Sequence, residues 1–219
     1  MELFIIAESN FLVDIGIARD RNSSYLMNLA STGKIKIAIP EYSLAEVDGR
    51  VSILLREREK KLKDSITLMK ELSRSDYNKK YTSGAIENLN TLLNLIDKER
   101  KFVDEAIRSI RDMCVVIPHT PEIHIKAALR DLSSKPPSQS YTMRASDDES
   151  DGFKLNDCQI YSAAPDFAGK NKNDRKIIFL TKDREDFDYP EIHDELNDNR
   201  VKLMFSPGEC VKEVTSVLD

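Results

Sequence analysis

The chain has 219 residues, of which 40% are hydrophobic and 32% charged, and its net charge is -5. These values are typical of a globular protein of one domain, and no apolar run is long enough to span a membrane or to form a signal peptide, so we expect a cytoplasmic protein. The mild acidity gives no overall sign of nucleic-acid binding, and the three widely spaced cysteines argue against a disulfide framework and favour buried thiols.

A buried strand is predicted near the start of the chain, and it ends in an acidic corner. Residues 3–7 form a continuous apolar run, which is typical of a strand that is covered on both faces in a parallel sheet. Glu8, Ser9 and Asn10 follow directly. Because open α/β sheets bind ligands beyond the carboxyl ends of their strands, we expect Glu8 to be placed for chemistry.

The next stretch predicts a parallel sheet. Apolar residues over 11–29 have helical spacing, with a fresh helix start at 22–24 and a C-cap at Gly33. Alternation over 35–39 predicts a second strand that ends at Pro40, and a helix that carries Glu46 follows. Two strands joined through helix form a βαβ unit, so the predicted class is α/β, with a three-layer parallel sheet flanked by helices.

From residue 51 the pattern changes to long, highly charged helix. Apolar residues at heptad-like spacing are Leu55, Leu62, Ile66 and Met69 in the first part, and Leu89, Leu92, Ile96, Val103 and Ile110 in the second. The turn is predicted at 73–84. We therefore predict an antiparallel helical hairpin inserted at about 51–112. For its charge runs at 56–63 and 98–101 we favour a solvated surface over direct substrate contact.

The second half of the chain predicts three further strands, at 113–117, 176–181 and 201–205. Helices are predicted at 121–132, at 153–168, where Pro165 ends or kinks the helix, and at 207–218. The polar, proline-rich residues 133–152 predict a flexible loop. This loop leads directly to Asp157, so a lid over the site is one hypothesis, and a passive insertion is the favoured one.

Five acidic residues follow strands or open the helices after them: Glu8, Glu46, Asp157, Asp183 and Asp186. The carboxyl ends of parallel strands lie at one edge of a sheet, so these side chains could meet. Clustered carboxylates raise one another's pKa unless a cation is bound, and oxygen ligands favour Mg²⁺ or Mn²⁺ over Zn²⁺. Taken singly, each has a simpler interpretation as a helix-surface acid, a first-turn acid or a turn residue.

Four stretches resemble, in order, the motifs of the PIN-domain nucleases. Residues 5–12 (IIAESNFL) resemble an apolar strand followed by Asp-Thr-Asn, and residues 40–47 resemble a proline followed by Leu-x-Glu. Residues 156–164 are similar to an Asp at the head of an alanine-rich helix, and residues 181–187 to Thr-x-Asp-x-Asp-Phe with one residue more between the aspartates. The resemblance covers about residues 1–50 and 113–205, and leaves the hairpin and the loop as insertions.

The resemblance implies cleavage of RNA, usually single-stranded, by a water molecule that Mg²⁺ or Mn²⁺ activates. No other cofactor is implied. The implied catalytic residues are Glu8, Glu46, Asp157 and Asp183, the metal ligands are Glu8, Asp157, Asp183 and Asp186, and the substrate-positioning residues are Ser9, Asn10 and Thr181.

Glu8 stands where the family normally has Asp, which leaves a second hypothesis open. A catalytically weakened PIN-like scaffold would bind RNA or a protein partner without cleaving anything. Within the nuclease hypothesis, a toxin paired with an antitoxin competes with an RNA-processing enzyme. The predicted partners are single-stranded RNA, an antitoxin or other protein held through the hairpin, and a second copy of the chain, but no membrane.

Other site classes have little support in the sequence. The histidines His119, His124 and His193 have no pairing that matches a zinc site. No Gly-x-Ser-x-Gly elbow and no phosphate-binding glycine loop is present. A phosphoacceptor receiver domain is disfavoured because the third predicted strand ends in Val-Ile-Pro rather than Asp.

Overall fold

A computed structural model describes residues 2–16, 20–138, 155–171 and 175–218. Its strands are β1 (Glu2–Ala7), β2 (Lys36–Pro40), β3 (Val115–Ile117), β4 (Arg175–Leu180) and β5 (Val201–Met204). They form one sheet in the order β3-β2-β1-β4-β5, and every neighbouring pair is parallel. The predicted α/β class, a parallel sheet flanked by helices, is confirmed.

The helices in the described residues are α1 (Ser9–Gly16), α2 (Arg21–Ser31), α3 (Glu41–Leu72), α4 (Asp76–Met113), α5 (Pro121–Leu132), α6 (Leu155–Lys170), α7 (Arg184–Phe187), α8 (Pro190–Asp198) and α9 (Pro207–Leu218). Two of them, α3 and α4, are long enough to cross a bilayer, but they are too rich in charge. None of the helices described here has the combined length and apolar character of a membrane span.

The strand β1 lies at the centre of the sheet and is buried on both faces. Its Ile5 is in register with Ile37 of β2 and Ile178 of β4. The side chains of Leu3, Ile5 and Ala7 pack into the core under α1, α2, α9 and the base of the hairpin, whereas Phe4 and Ile6 pack into the core under α5, α6 and α8. The continuous apolar run therefore contributes side chains to two hydrophobic cores, one on each face of the sheet.

The order of the strands creates a crevice beside β1. From β1 the chain builds β2 and β3 on one side, and then returns to build β4 and β5 on the other side. Such a reversal opens a crevice at the carboxyl ends of the two central strands, here β1 and β4. Glu8 follows β1 directly and Thr181 follows β4 directly, so both residues lie at this crevice.

The helices α3 and α4 form the predicted antiparallel hairpin, with three differences from the sequence analysis. α3 begins directly after β2, so the helix that carries Glu46 and the first hairpin helix are one continuous helix. The turn is shorter than predicted, because α4 already begins at Asp76. The prediction that Leu92 lies on the apolar face between the two helices is wrong, because its side chain is 51% exposed. The apolar face instead follows Leu89, Leu93 and Ile96, which are spaced by four and then three residues.

Several local predictions can be compared with the helix ends. Gly33 lies just past α2 with φ +74°, and its N–H donates to the Ala30 carbonyl, as expected of a C-cap. The helix start predicted at 22–24 is wrong, because Asp20 caps α2 by accepting a hydrogen bond from the Ser23 N–H at 2.9 Å. Pro165 does not end α6, which continues to Lys170. Most of the predicted loop, residues 139–152, lies outside the described residues.

The base of the hairpin belongs to the core of the sheet, and this can be tested by mutation. Leu55 of α3 is 0% exposed and packs in the same core as Ile5 of β1. We expect Leu55→Ala to lower the free energy of unfolding by about 2–5 kcal/mol, measured by urea denaturation. The matched control is Leu68→Ala on the same helix, where the side chain is 52% exposed and a change within about 0.5 kcal/mol is expected. Equal effects would contradict this packing.

A polar cluster connects α5, α6 and α8 on the opposite face of the sheet. Glu195 accepts hydrogen bonds from the Tyr161 hydroxyl at 2.7 Å and from Arg130 Nη1 at 2.6 Å. The Arg130 guanidinium also lies over the Tyr161 ring, 4.2 Å from its centroid. Burial by itself would raise the pKa of Glu195, but the hydrogen bonds and the charge of Arg130 outweigh burial and lower it.

This lowered pKa predicts a pH-dependent stability difference. The ionised Glu195 stabilises the fold above its unfolded-state pKa of about 4.5, and this contribution is lost as the pH falls through the lower folded-state pKa. We therefore expect Glu195→Gln to be less stable than the wild type at neutral pH, and the difference to shrink on acidification below about pH 4.5. Urea denaturation across the pH range measures it, with the exposed Glu191→Gln on the same helix as the control. A difference that is constant with pH would contradict the assignment.

Candidate active site

Glu8 is buried at the carboxyl end of β1, with 2% of its surface exposed. Its Oε1 accepts hydrogen bonds from Asn10 Nδ2 at 2.8 Å, from Thr181 Oγ1 at 2.9 Å and from the Lys182 N–H at 3.2 Å. Thr181 and Lys182 reach Glu8 because β4 is the neighbour of β1. Burial raises the pKa of Glu8, and this effect exceeds the lowering by the three hydrogen bonds and by the charge of Arg50.

Arg50 connects Glu46 to Glu8. Glu46 and Arg50 lie one turn apart on α3. Glu46 Oε1 accepts a hydrogen bond from Arg50 Nε at 2.9 Å and forms an ion pair with Nη2 at 2.7 Å. Arg50 Nη1 donates to Asn10 Oδ1 at 2.7 Å, and Asn10 in turn donates to Glu8. The side chain of Glu46 is only 15% exposed. Glu46 is therefore part of a buried network rather than a freely solvated surface acid.

Thr181 connects Asp183 to the same network. Its Oγ1 accepts a hydrogen bond from the Asp183 N–H at 3.0 Å while its hydroxyl donates to Glu8. The Asp183 carboxylate accepts a hydrogen bond from the Asp186 N–H at 3.1 Å and so caps α7. The carboxylate of Asp183 is thus engaged in a turn, as the simpler interpretation of the sequence expected.

Asp157 and Asp186 lie near a second group, the thiol of Cys158. Asp157 is in the first turn of α6 and Asp186 is in α7, and they are 6% and 9% exposed. Burial, together with the charges of Asp131, Asp157 and Asp186, raises the pKa of Cys158 to about 12 against the opposing charge of Arg130. Asp157 and Asp186 are therefore both within electrostatic range of this sulfur atom.

Two buried oxygen atoms in this region have no hydrogen-bond partner among the residues that the structure describes: Ser9 Oγ and Glu46 Oε2. Ser9 follows Glu8 in the chain and is 0% exposed. A buried carboxylate oxygen without a donor costs free energy of folding. Glu46 Oε2 is thus a free acceptor that a cation or a hydrogen-bond donor of a ligand would satisfy.

The predicted metal site can be compared with these positions. By their chemistry, the carboxylate oxygens fit Mg²⁺ or Mn²⁺. Their arrangement does not, because no three Asp, Glu, His or Cys side chains within the described parts of the chain are grouped so that they could hold a metal ion. Glu8 is held by protein donors instead, and Arg50 places a positive charge beside it. The ligand set of Glu8, Asp157, Asp183 and Asp186 stays a prediction, and it requires these side chains to move together.

A cleft of about 610 Å³ opens beside Asn10. One part of its wall is polar and includes Asn10, Arg50 and Lys182, while Ile53 and other aliphatic side chains form an apolar part. The ammonium group of Lys182 pairs with two acidic residues of the same cleft, Asp14 and Asp20. The cleft therefore combines cationic and apolar surface next to the network of Glu8.

A comparison with the families of known proteins gives a match to the PIN domain over residues 5–187. The chain belongs to the PIN-domain family. The match includes all five acids that the sequence analysis selected. No curated protein matches the chain significantly. PIN-domain proteins are typically nucleases and generally use divalent metal ions, so membership supports a nuclease-type enzyme.

The sequence analysis missed two residues of this PIN domain, Arg50 and Lys182. Arg50 had a detectable signal, because a basic residue four positions after Glu46 on a helix can pair with it. Lys182 lies between Thr181 and Asp183 in a motif that was recognised, but nothing in the spacing predicts that its N–H contacts Glu8. The contacts of Arg50 with Asn10 and of the Lys182 N–H with Glu8 join residues that are far apart in the chain.

The length of Glu8 is the feature of this PIN domain that can be tested most directly. We expect Glu8→Asp to withdraw the carboxylate by about 1.5 Å, the length of one C–C bond, so that it cannot reach all three donors. The free energy of unfolding should fall by about 1–3 kcal/mol, measured by urea denaturation in the presence of EDTA. Glu8→Gln is the control, because it keeps the length and an acceptor oxygen. Unchanged stability of Glu8→Asp would contradict the role of the three hydrogen bonds.

Proposed function

We propose that this protein hydrolyses phosphodiester bonds of single-stranded RNA in a reaction that depends on Mg²⁺ or Mn²⁺. The observation that carries the proposal is the match to the PIN domain over residues 5–187, and a cleft of about 610 Å³ beside the partly buried network of Glu8 and Glu46 supports it. A cleft of this size is within the range of ligand-binding pockets.

In this proposal the ions are held by Glu8, Asp157 and Asp183, with Asp186 as an outer ligand. When bound, they would lower the pKa of the attacking water and stabilise the charge on the leaving oxygen.

The protein's own donors give the acids their positions. Asn10 and Thr181 fix the carboxylate of Glu8 by hydrogen bonds, and Arg50 fixes that of Glu46. The buried Ser9 Oγ has no hydrogen-bond partner among the described residues, so in this proposal it donates to a phosphate oxygen or to a carboxylate of the site.

The walls of the cleft favour an unpaired strand as the substrate. Ile53, which is 55% exposed, supplies an apolar surface for a base. Arg50 and Lys182 lie in the same wall as donors for phosphate oxygens, and a bound strand would have to compete with the acids that pair with them. A base within a duplex is stacked and paired, so it could not lie on this wall. These features support RNA in single-stranded form.

The second candidate function is a PIN scaffold that binds RNA or a protein without cleaving it. It is favoured by the three hydrogen bonds that hold Glu8, by the positive charge of Arg50 in the network, and by the lack of a grouped metal-binding triad among the described residues. Its biological role would be regulatory. An active enzyme would serve either as a toxin that an antitoxin holds through the hairpin or in RNA processing.

A cleavage assay on labelled single-stranded RNA distinguishes the two candidates. We expect cleavage with Mg²⁺ or Mn²⁺, none with EDTA, and a loss of at least about 100-fold in rate for Asp157→Asn, because a metal ligand becomes a neutral amide. The control is Asp198→Asn, an exposed position at the end of α8. An unchanged rate for Asp157→Asn would contradict the assignment of this residue, and RNA that is bound but intact with Mn²⁺ would favour the scaffold.

A further inference from the structure

The tip of the helical hairpin, residues 70–81, carries two tyrosine rings in solvent. Tyr77 and Tyr81 are 82% and 70% exposed, compared with 46% for Tyr25 on α2. They lie one turn apart at the start of α4, with their ring centroids 6.4 Å apart and their planes at 52°. Rings this exposed bury little area on folding, so the fold itself does not account for them.

Four basic residues lie close to the two tyrosines in the sequence of the tip. Lys70, Arg74, Lys79 and Lys80 are all exposed, and within the described parts of the chain none of them forms an ion pair. Nearer the body, the same hairpin does pair its charges, for example Arg58 with Glu99 and Lys63 with Glu59. Against these four basic residues the tip has two acids, Glu71 and Asp76, so its net charge is +2 on a chain whose net charge is -5.

We propose that the hairpin tip is a second binding site for single-stranded RNA, separate from the cleft at Glu8. Tyr77 and Tyr81 stack on bases, and the four basic side chains contact phosphates. The combination of exposed aromatic rings and unpaired cations is the one that proteins use to hold single strands without sequence preference. The identity of the ligand as RNA rests on the function proposed above, whereas the tip as a site for a single strand does not depend on cleavage.

The length of α3 sets the separation of the two sites. With a rise of about 1.5 Å per residue, Lys70 lies roughly 30 Å along the helix from Arg50 at the cleft. At about 3.4 Å or more per nucleotide, a strand of about nine nucleotides is enough to span this distance. A shorter RNA can occupy one site only, so the tip should add affinity only for longer RNA.

The first experiment measures the affinity of labelled single-stranded RNA by fluorescence anisotropy, with EDTA present to prevent cleavage. The two probes are roughly 6 and roughly 24 nucleotides long, below and above the span of the two sites. We expect the Tyr77→Ala/Tyr81→Ala double variant to raise the Kd for the long RNA by about 5- to 100-fold. The ratio of the affinity for the long RNA to the affinity for the short RNA should then fall close to one. The Tyr77→Phe/Tyr81→Phe variant should keep the wild-type values because the rings remain, and Tyr25→Ala should have no effect.

The second experiment measures the contribution of charge. Replacing Lys79 and Lys80 with Gln should reduce the slope of log K against log salt for the long RNA by about 1.4, or about 0.7 for each phosphate that is no longer neutralised. The matched control replaces Lys60 and Lys61 with Gln. These residues are also exposed, but they lie in the middle of α3, away from the tip. An equal reduction in this control would overturn the assignment to the tip. Circular dichroism of every variant confirms that the helices are intact.

Other outcomes also decide the proposal. An unchanged affinity for long RNA in the Ala variant would overturn it, and so would an equal loss for both RNA lengths. Sedimentation of the same variants shows whether the rings instead hold a protein: loss of self-association with RNA binding intact would make the tip an interface between copies. If the wild type never cleaves RNA but shows the expected length dependence, only the catalytic proposal fails and the tip assignment stands.

Discussion

The need to satisfy a carboxylate buried at the end of a central strand determines the arrangement around Glu8. Because β1 is covered on both faces, the residue after it has almost no access to water. An ionised group in such a place needs hydrogen bonds from its neighbours. The neighbouring strand supplies the Thr181 hydroxyl and the Lys182 N–H, and Asn10 supplies a third donor. The parallel pairing of β1 with β4 is thus a condition for the site as well as for the fold.

Arg50 changes what this group of acids can do. It neutralises part of the negative charge near Glu8 and Glu46 with a cation from the chain itself. A divalent metal ion would therefore have to draw the carboxylates together against the contacts of Glu8 Oε1 and Glu46 Oε1, while Glu46 Oε2 has no partner among the described residues. The longer side chain of Glu8 fits these contacts, so Glu in place of the usual Asp has a structural reason here. If a divalent ion displaces these donors from the carboxylates, the chain can act as an enzyme. If the donors stay in place, it can act only as a scaffold.

The continuous helix α3 connects the site to the surface of the molecule. It carries Glu46 and Arg50 near its start, packs Leu55 into the core, and then leaves the body toward Tyr77 and Tyr81. Because α3 has no break between these parts, the packing of Leu55 in the core fixes the orientation of the hairpin as well as the position of the site. A ligand bound at the proposed tip site would therefore be held at a fixed distance from the cleft.

The sequence by itself determined the fold class and most of the elements, although the helices α7 and α8 were not predicted. The apolar run of residues 3–7, the alternation at 35–39 and the heptad spacing of the hairpin are local patterns, and they predicted a parallel α/β sheet with an inserted hairpin because burial imposes a period on each element. The order of the motifs also indicated the family and the five acids. The pairing of Arg50 with Asn10, the Thr181 and Lys182 donors on Glu8 Oε1, and the nearness of Asp186 to Cys158 were decided only by the tertiary structure. These contacts depend on which strands become neighbours and on how far each side chain reaches, and no periodic pattern along the chain records either.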